Sequence, residues 1–142
     1  MLGPWSVDSQ RLILNRGNNK GLAELTLASG QVRPIGDAKV YASDWSADGA
    51  FLAAFDRIQN LEVMIPLQDP RPQTLRARQQ GQMYFQLAPD GKRAAYVTSE
   101  SGTAQAWVAS YPSFADKRQV GDGARMVFWR GDGKELLVVT RD

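Results

Sequence analysis

Apolar residues fall in short runs divided by Gly, Pro, Asp and Ser clusters, and no window of 12 residues sustains the i, i+3, i+4, i+7 stripe of a helix. Leu61-Glu62-Val63-Met64-Ile65-Pro66-Leu67 has aliphatic residues at its odd positions, the period of a strand. Around it the pattern predicts strands at Val40–Trp45, Phe51–Phe55 and, behind the breaker run Asp69-Pro70-Arg71-Pro72, Gln73–Ala77. A second set follows at Met83–Ala88, Arg93–Thr98, Gln105–Ser110 and Arg118–Val120, with Glu100-Ser101-Gly102 as its middle turn. Before both, strands are expected near Arg11–Leu14, Ala23–Leu27 and Gln31–Ile35, with a turn at Gly17–Gly21. Glu135–Thr140 reads as the last strand.

These sets are copies of one unit. Trp5-Ser-Val-Asp8-Ser9, Trp45-Ser-Ala-Asp48-Gly49, Leu87-Ala-Pro-Asp90-Gly91 and Trp129-Arg-Gly-Asp132-Gly133 share a pattern, and their aspartates lie 40, 42 and 42 residues apart. A period of about 40–45 residues is that of four-stranded propeller blades. Asp-Gly between apolar runs signals a hairpin, both residues tolerating the positive backbone angles of a tight turn. The spacing predicts an all-β chain: a partial β-propeller of about three and a half four-stranded antiparallel blades. It is one segment over 1–142, with units near 1–39, 40–82, 83–124 and an incomplete 125–142. Proline and charge gather on the fourth strand of each unit (Arg33-Pro34, Arg76 with Arg78, Lys117-Arg118), as suits a sheet edge that must not pair further.

Composition narrows the chemistry. The 142 residues, 43% of them hydrophobic, suffice for one domain with a core. The absence of cysteine excludes disulfides and thiolate chemistry; the absence of histidine excludes a Ser-His-Asp triad and His-ligated zinc. A net charge of +2, with Arg71, Arg76 and Arg78 as the densest basic cluster, does not make a nucleic-acid surface. No apolar run is long enough to span a membrane, and the first residues lack the pattern of a signal peptide.

Candidate motifs fail on residue type. Asp44 and Asp48 flank a tryptophan, unlike the alternating oxygen ligands of a calcium loop, so turn-capping is favoured over metal. Gly91-Lys92 and Gly133-Lys134 lack the upstream glycine and the following hydroxyl of a phosphate-binding loop. No kinase motif and no G-x-S-x-G elbow is present, and Arg130-Gly131-Asp132 falls on the repeat's own turn. The expectation is a chain that is not an enzyme, with no catalytic, cofactor or metal residues.

Phe85–Pro112, the following Lys117-Arg-Gln-Val and Trp129-Arg-Gly-Asp-Gly-Lys-Glu-Leu-Leu-Val-Val resemble the TolB-like, WD-repeat-like propeller repeats of bacteria. They are most similar to the propellers behind the kinase domain of bacterial serine/threonine protein kinases. The family's Ser-Pro-Asp-Gly stands here as Ser46-Ala47-Asp48-Gly49, Ala88-Pro89-Asp90-Gly91 and Arg130-Gly131-Asp132-Gly133, while the first copy ends in Asp8-Ser9; Val138 and Val139 replace a common aromatic pair. The resemblance implies turn-forming roles for Asp8, Asp48, Asp90 and Asp132, with Gly49, Gly91 and Gly133 beside three of them. It implies packing between blades for Trp45 and Trp129.

Three and a half blades would leave two blade faces bare, and three occupants are open: further blades of a longer polypeptide, a second copy giving about seven blades in all, or a partner protein. The first is favoured, because the chain starts and stops within a unit. The resemblance implies a protein-binding or ligand-sensing module of a larger kinase-linked regulator. That module would lie outside the cytoplasm if its parent is membrane-anchored and in the cytoplasm otherwise. The alternative is the substrate-gating propeller of a prolyl-oligopeptidase-type serine peptidase with its catalytic domain elsewhere. Contact residues are expected on Arg71–Gln73, Glu100–Thr103 and Ser113–Lys117.

Overall fold

A computed structural model describes residues 2–17, 20–36 and 39–140, so Asn18 and Asn19 of the turn expected at Gly17–Gly21 lie outside the described residues. Among the described residues, fourteen strands and no helix make the fold all-β. Strands β1 (Leu2–Trp5), β2 (Arg11–Asn15), β3 (Leu22–Thr26) and β4 (Val32–Ile35) form one sheet in chain order. A second comprises β5 (Tyr41–Trp45), β6 (Phe51–Asp56), β7 (Leu61–Pro66) and β8 (Gln73–Ala77). The third comprises β9 (Met83–Leu87), β10 (Arg93–Thr98), β11 (Gln105–Ser110) and β12 (Arg118–Asp122), and β13 (Ala124–Trp129) pairs with β14 (Leu136–Thr140) alone. Every pairing is antiparallel between neighbours in sequence. These are blades of a partial β-propeller, about three and a half of them.

The chain forms two compact units, Met1–Ala77 and Arg78–Asp142. In the first, β1 packs against β5; in the second, β9 and β10 pack against β13. First strands therefore lie where successive sheets meet. The fourth strands are edges, and Val32, Arg33 and Pro34 on β4 are exposed.

Second strands are buried on both faces, and their sequences show why. Leu52, Ala53 and Ala54 of β6 and Ala94 through Thr98 of β10 are all buried, with small alanines on both sides of each strand. The alternation expected over Leu61–Leu67 is incomplete: Glu62 is buried along with Val63 and Ile65. One core joins Ile13, Leu22 and Ile35 to Val40, Trp45, Leu52, Val63 and Ile65; another joins Ala95, Val97 and Ala106 to Ala124 and Val127.

Each first strand also carries a bulge. Register slips between Leu2 and Trp5, Ala42 and Asp44, Met83 and Phe85, and Ala124 and Met126. The extra residue bends and twists the strand. Tyr84, the bulged residue of β9, has a φ of 48°, unusual for an aromatic residue.

Candidate recognition surface

The four aspartates occupy equivalent hairpins. In each, the amide two residues before the aspartate donates to the carbonyl three residues after it: Ser6 to Arg11 (2.9 Å), Ser46 to Phe51 (3.0 Å), Ala88 to Arg93 (2.8 Å) and Arg130 to Glu135 (2.9 Å). The residue after the aspartate closes the turn through its own amide, at φ 56° for Ser9 and 73°, 67° and 69° for Gly49, Gly91 and Gly133. The hairpins expected from Asp-Gly are present, and of the two residues one uses a positive backbone angle. Only the second residue adopts a positive φ; the aspartate stays on the ordinary side and uses its carboxylate instead, in a turn followed by a left-handed residue.

That carboxylate accepts the amide two residues on, at 3.0 Å for Asp8 and Gln10, 3.0 Å for Asp48 and Ala50, 2.9 Å for Asp90 and Lys92, and 3.0 Å for Asp132 and Lys134. A second donor differs between copies. Hydroxyls of Ser6 and Ser46 donate to Asp8 and Asp48, Arg93 to Asp90 and Arg130 to Asp132. The Ser6 and Ser46 hydroxyls, followed by the backbone amides, hold Asp8 and Asp48 below the usual carboxylate value. The Lys92 amide leads at Asp90 and the Arg130 guanidinium at Asp132, with the same direction. Serine two residues ahead of the aspartate was visible in Trp-Ser-x-Asp; that Arg130 would replace it was not. Asp44 accepts the Trp45 amide at 2.8 Å, and among the described residues no three carboxylates gather as metal ligands.

Ser9 is the one non-glycine residue at its turn position. Left-handed backbone costs an L-residue about 1–2 kcal/mol, of which glycine's extra unfolded freedom takes back roughly half. Ser9→Gly is therefore expected to stabilise the chain by about 0.5–1 kcal/mol, read as a higher urea midpoint with an unchanged slope.

The tryptophans before the turns have distinct surroundings. Trp45 is buried in the core shared by the first two sheets, with the Arg11 guanidinium 5.0 Å from its ring. Arg11 also approaches the buried Glu24 at 3.6 Å, and Arg33 lies 3.4 Å from the same carboxylate. Trp129 packs on the second core beneath Arg93, 5.0 Å from its ring, and its amide donates to the Gln86 side chain at 3.1 Å. The cation in both cases is the third residue after the preceding turn aspartate.

The three candidate loops fall at different ends. Amides of Leu27, Leu67 and Tyr111 donate to the carbonyls of Gln10, Ala50 and Lys92, which ties the third-to-fourth-strand loops to the aspartate turns. Arg71–Gln73 and Ser113–Lys117 thus stand at the turn ends of their units, and Glu100–Thr103 stands at the opposite end of the second. Arg71 pairs with Asp69 through two nitrogens, and Gln79 donates to Glu100 at 3.2 Å. Ser113–Lys117 is built on Phe114, whose ring centroid lies 5.7–6.3 Å from those of Tyr111, Tyr96 and Phe85. Lys117 covers Trp107 at 4.0 Å, and Ser110 donates to Asp116 at 3.3 Å. Ser113, Asp116 and Lys117 are its exposed polar residues, and its anchor is aromatic.

No protein-family model and no curated protein sequence matches the chain. Solved structures do. A TolB from Agrobacterium tumefaciens superposes with a TM-score of 0.73 at 12% identity, over 99% of this chain and 58% of that one. A chain of a nidogen–laminin complex gives 0.75 at 7%, over 98% and 56%. The propeller domain of the Trilobed protease from Pyrococcus furiosus gives 0.51 at 22%, over 71% and 34%. The chain is a β-propeller segment of the fold seen in TolB, and it spans little more than half the length of the first two chains.

Proposed function

We propose that the chain is a non-catalytic recognition segment of a bacterial, kinase-linked regulatory protein, binding a protein partner or sensing a ligand through loops at its sheet ends. The observation that supports this most is the Ser113–Lys117 loop. Its backbone is pinned by Phe114 and by the Ser110–Ala115 hydrogen bond (2.9 Å), while Ser113, Asp116 and Lys117 remain exposed. Rigidly based polar loops on a repeated sheet suit binding with little ordering cost.

The second reading, a substrate-gating propeller, draws on the likeness to the Trilobed protease domain and to tricorn protease. Sequencing the coding DNA on both sides separates the two. A kinase catalytic domain or membrane-spanning helix encoded ahead of Met1 supports the regulatory reading. A G-x-S-x-G elbow followed by Asp and His beyond Asp142 replaces it with the peptidase.

A further inference from the structure

Two equivalent places in the repeat differ by one carboxylate. In the first unit Ile13 of β2 pairs with Glu24 of β3, and Glu24 with Arg33 of β4. In the second, Ala95 of β10 pairs with Val108 of β11, and Val108 with Arg118 of β12. Paired residues share a face of the sheet, as do residues two apart on a strand. Arg11 therefore stands on the face of Glu24, and Arg93 on the face of Val108. Both arginines follow their turn aspartate by three residues, and each covers a tryptophan at 5.0 Å. Two arginines and a tryptophan thus recur, while the acid between the arginines becomes a valine.

Charge is balanced in the first place and left open in the second. Glu24 is buried, 3.6 Å from Arg11 and 3.4 Å from Arg33. Arg93 keeps its turn aspartate, Asp90 at 3.1 Å, as Arg11 keeps Asp8 at 3.8 Å. Arg118 has no carboxylate partner among the described residues, because Val108 stands on the rung that Glu24 holds beside Arg33. Lys134, two residues after Asp132, adds a cation where the first unit has Ala50, and it too has no carboxylate partner among the described residues. Arg93, Val108, Arg118, Trp129 and Lys134 line one cavity of about 350 Å³, with Asp116 as the one carboxylate on its wall. All of them belong to the second unit. The volume lies within the roughly 300–1,000 Å³ of small-molecule sites.

We propose that this cavity binds a short aliphatic dicarboxylate. One carboxylate takes the place that the Glu24 head group holds in the first unit, against Arg118 and Arg93. The methylene stem lies on Val108, and the second carboxylate faces Lys134. Guanidinium groups suit the first contact, since their N–H donors meet a carboxylate in pairs and the bonds are charge-assisted. Two cations without a carboxylate partner on an otherwise apolar wall select two anionic groups joined by a hydrocarbon link. The site does not depend on the regulatory role proposed above.

Amide and indole NMR of the intact chain, titrated with sodium glutarate at constant ionic strength, tests it. Signals of Val108, Arg118 and the Trp129 indole should shift and saturate. Inorganic phosphate, which carries charge without a stem, should bind about tenfold more weakly. Arg118→Gln and Lys134→Gln should each weaken glutarate binding about tenfold, the loss of one charge-assisted contact. Val108→Glu restores the built-in carboxylate of the first unit and should abolish the saturable shifts. Far-UV circular dichroism checks its fold, and where it fails to fold the two exposed-residue variants carry the test. Shifts that never saturate, that persist in folded Val108→Glu, or that phosphate reproduces with equal affinity overturn the proposal. So does binding that neither Arg118→Gln nor Lys134→Gln weakens.

Discussion

Trp45→Ala is expected to lower the unfolding free energy by about 3–5 kcal/mol, while Trp5→Ala at the same repeat position changes it by about 0.5 kcal/mol or less. The two residues share a motif, a turn and a strand position, and they differ in what lies beyond the ring. Trp45 shares its core with Ile13, Leu22, Leu52 and Val63, and its face carries the Arg11 guanidinium. Truncation removes the transfer energy of a large buried ring and leaves a cavity between two sheets that cannot close without moving strands. It also strips Arg11 of the surface over which it reaches Glu24. Trp5 is 52% exposed, so about half of its area stays in water in both states. Urea unfolding followed by far-UV circular dichroism, at a concentration where the chain is monomeric, reads both variants. Equal losses would show that burial between sheets is not what the tryptophan contributes.

The same contrast explains what could be read in the chain beforehand. Turn aspartates at near-equal spacing locate the first hairpin of every unit, because a carboxylate that accepts the amide two residues on is a local interaction and leaves a local mark. Strand limits followed to within one or two residues for that reason: Gln73–Ala77, Arg93–Thr98 and Gln105–Ser110 are as expected. The bulges of the first strands had no such mark. Ser43, Tyr84 and Arg125 share no residue type, and the slip arises from the twist needed where sheets meet. Glu24 and Glu62 are charged residues within strands and are buried, and burial of this kind depends on long-range packing that leaves no local mark. Phe114 lies inside a loop expected to carry contact residues, and nothing in Ser-Phe-Ala-Asp signals that its ring turns inward. Of the candidate surface, then, the scaffold was legible and the anchor was not.

Phe114→Ala is expected to cost about 2–4 kcal/mol, somewhat less than truncation of a fully buried ring because Phe114 is only half-buried. Three aromatic neighbours surround it, and two meet it edge-on: Tyr111 at 5.7 Å with planes 72° apart, and Tyr96 at 6.1 Å and 64°. Such pairs contribute about 0.5–1.5 kcal/mol each beyond the area they bury. The backbone supplies a sharper test. Phe114 sits at φ 55°, where alanine suffers the same steric penalty as phenylalanine and glycine does not. Phe114→Gly should therefore be no worse than Phe114→Ala, the reverse of the usual order at a structured position. If alanine proves clearly better than glycine, the left-handed backbone is not what this site imposes. In either variant the amides of Phe114 and Ala115 should exchange faster than those of β10, because the ring ties the loop to Tyr96, Phe85 and Tyr111. A loop that loosens this way while β9–β12 stay protected separates anchoring from folding. It also gives the recognition reading a variant in which the exposed groups at Ser113, Asp116 and Lys117 are unchanged and only their positioning is lost.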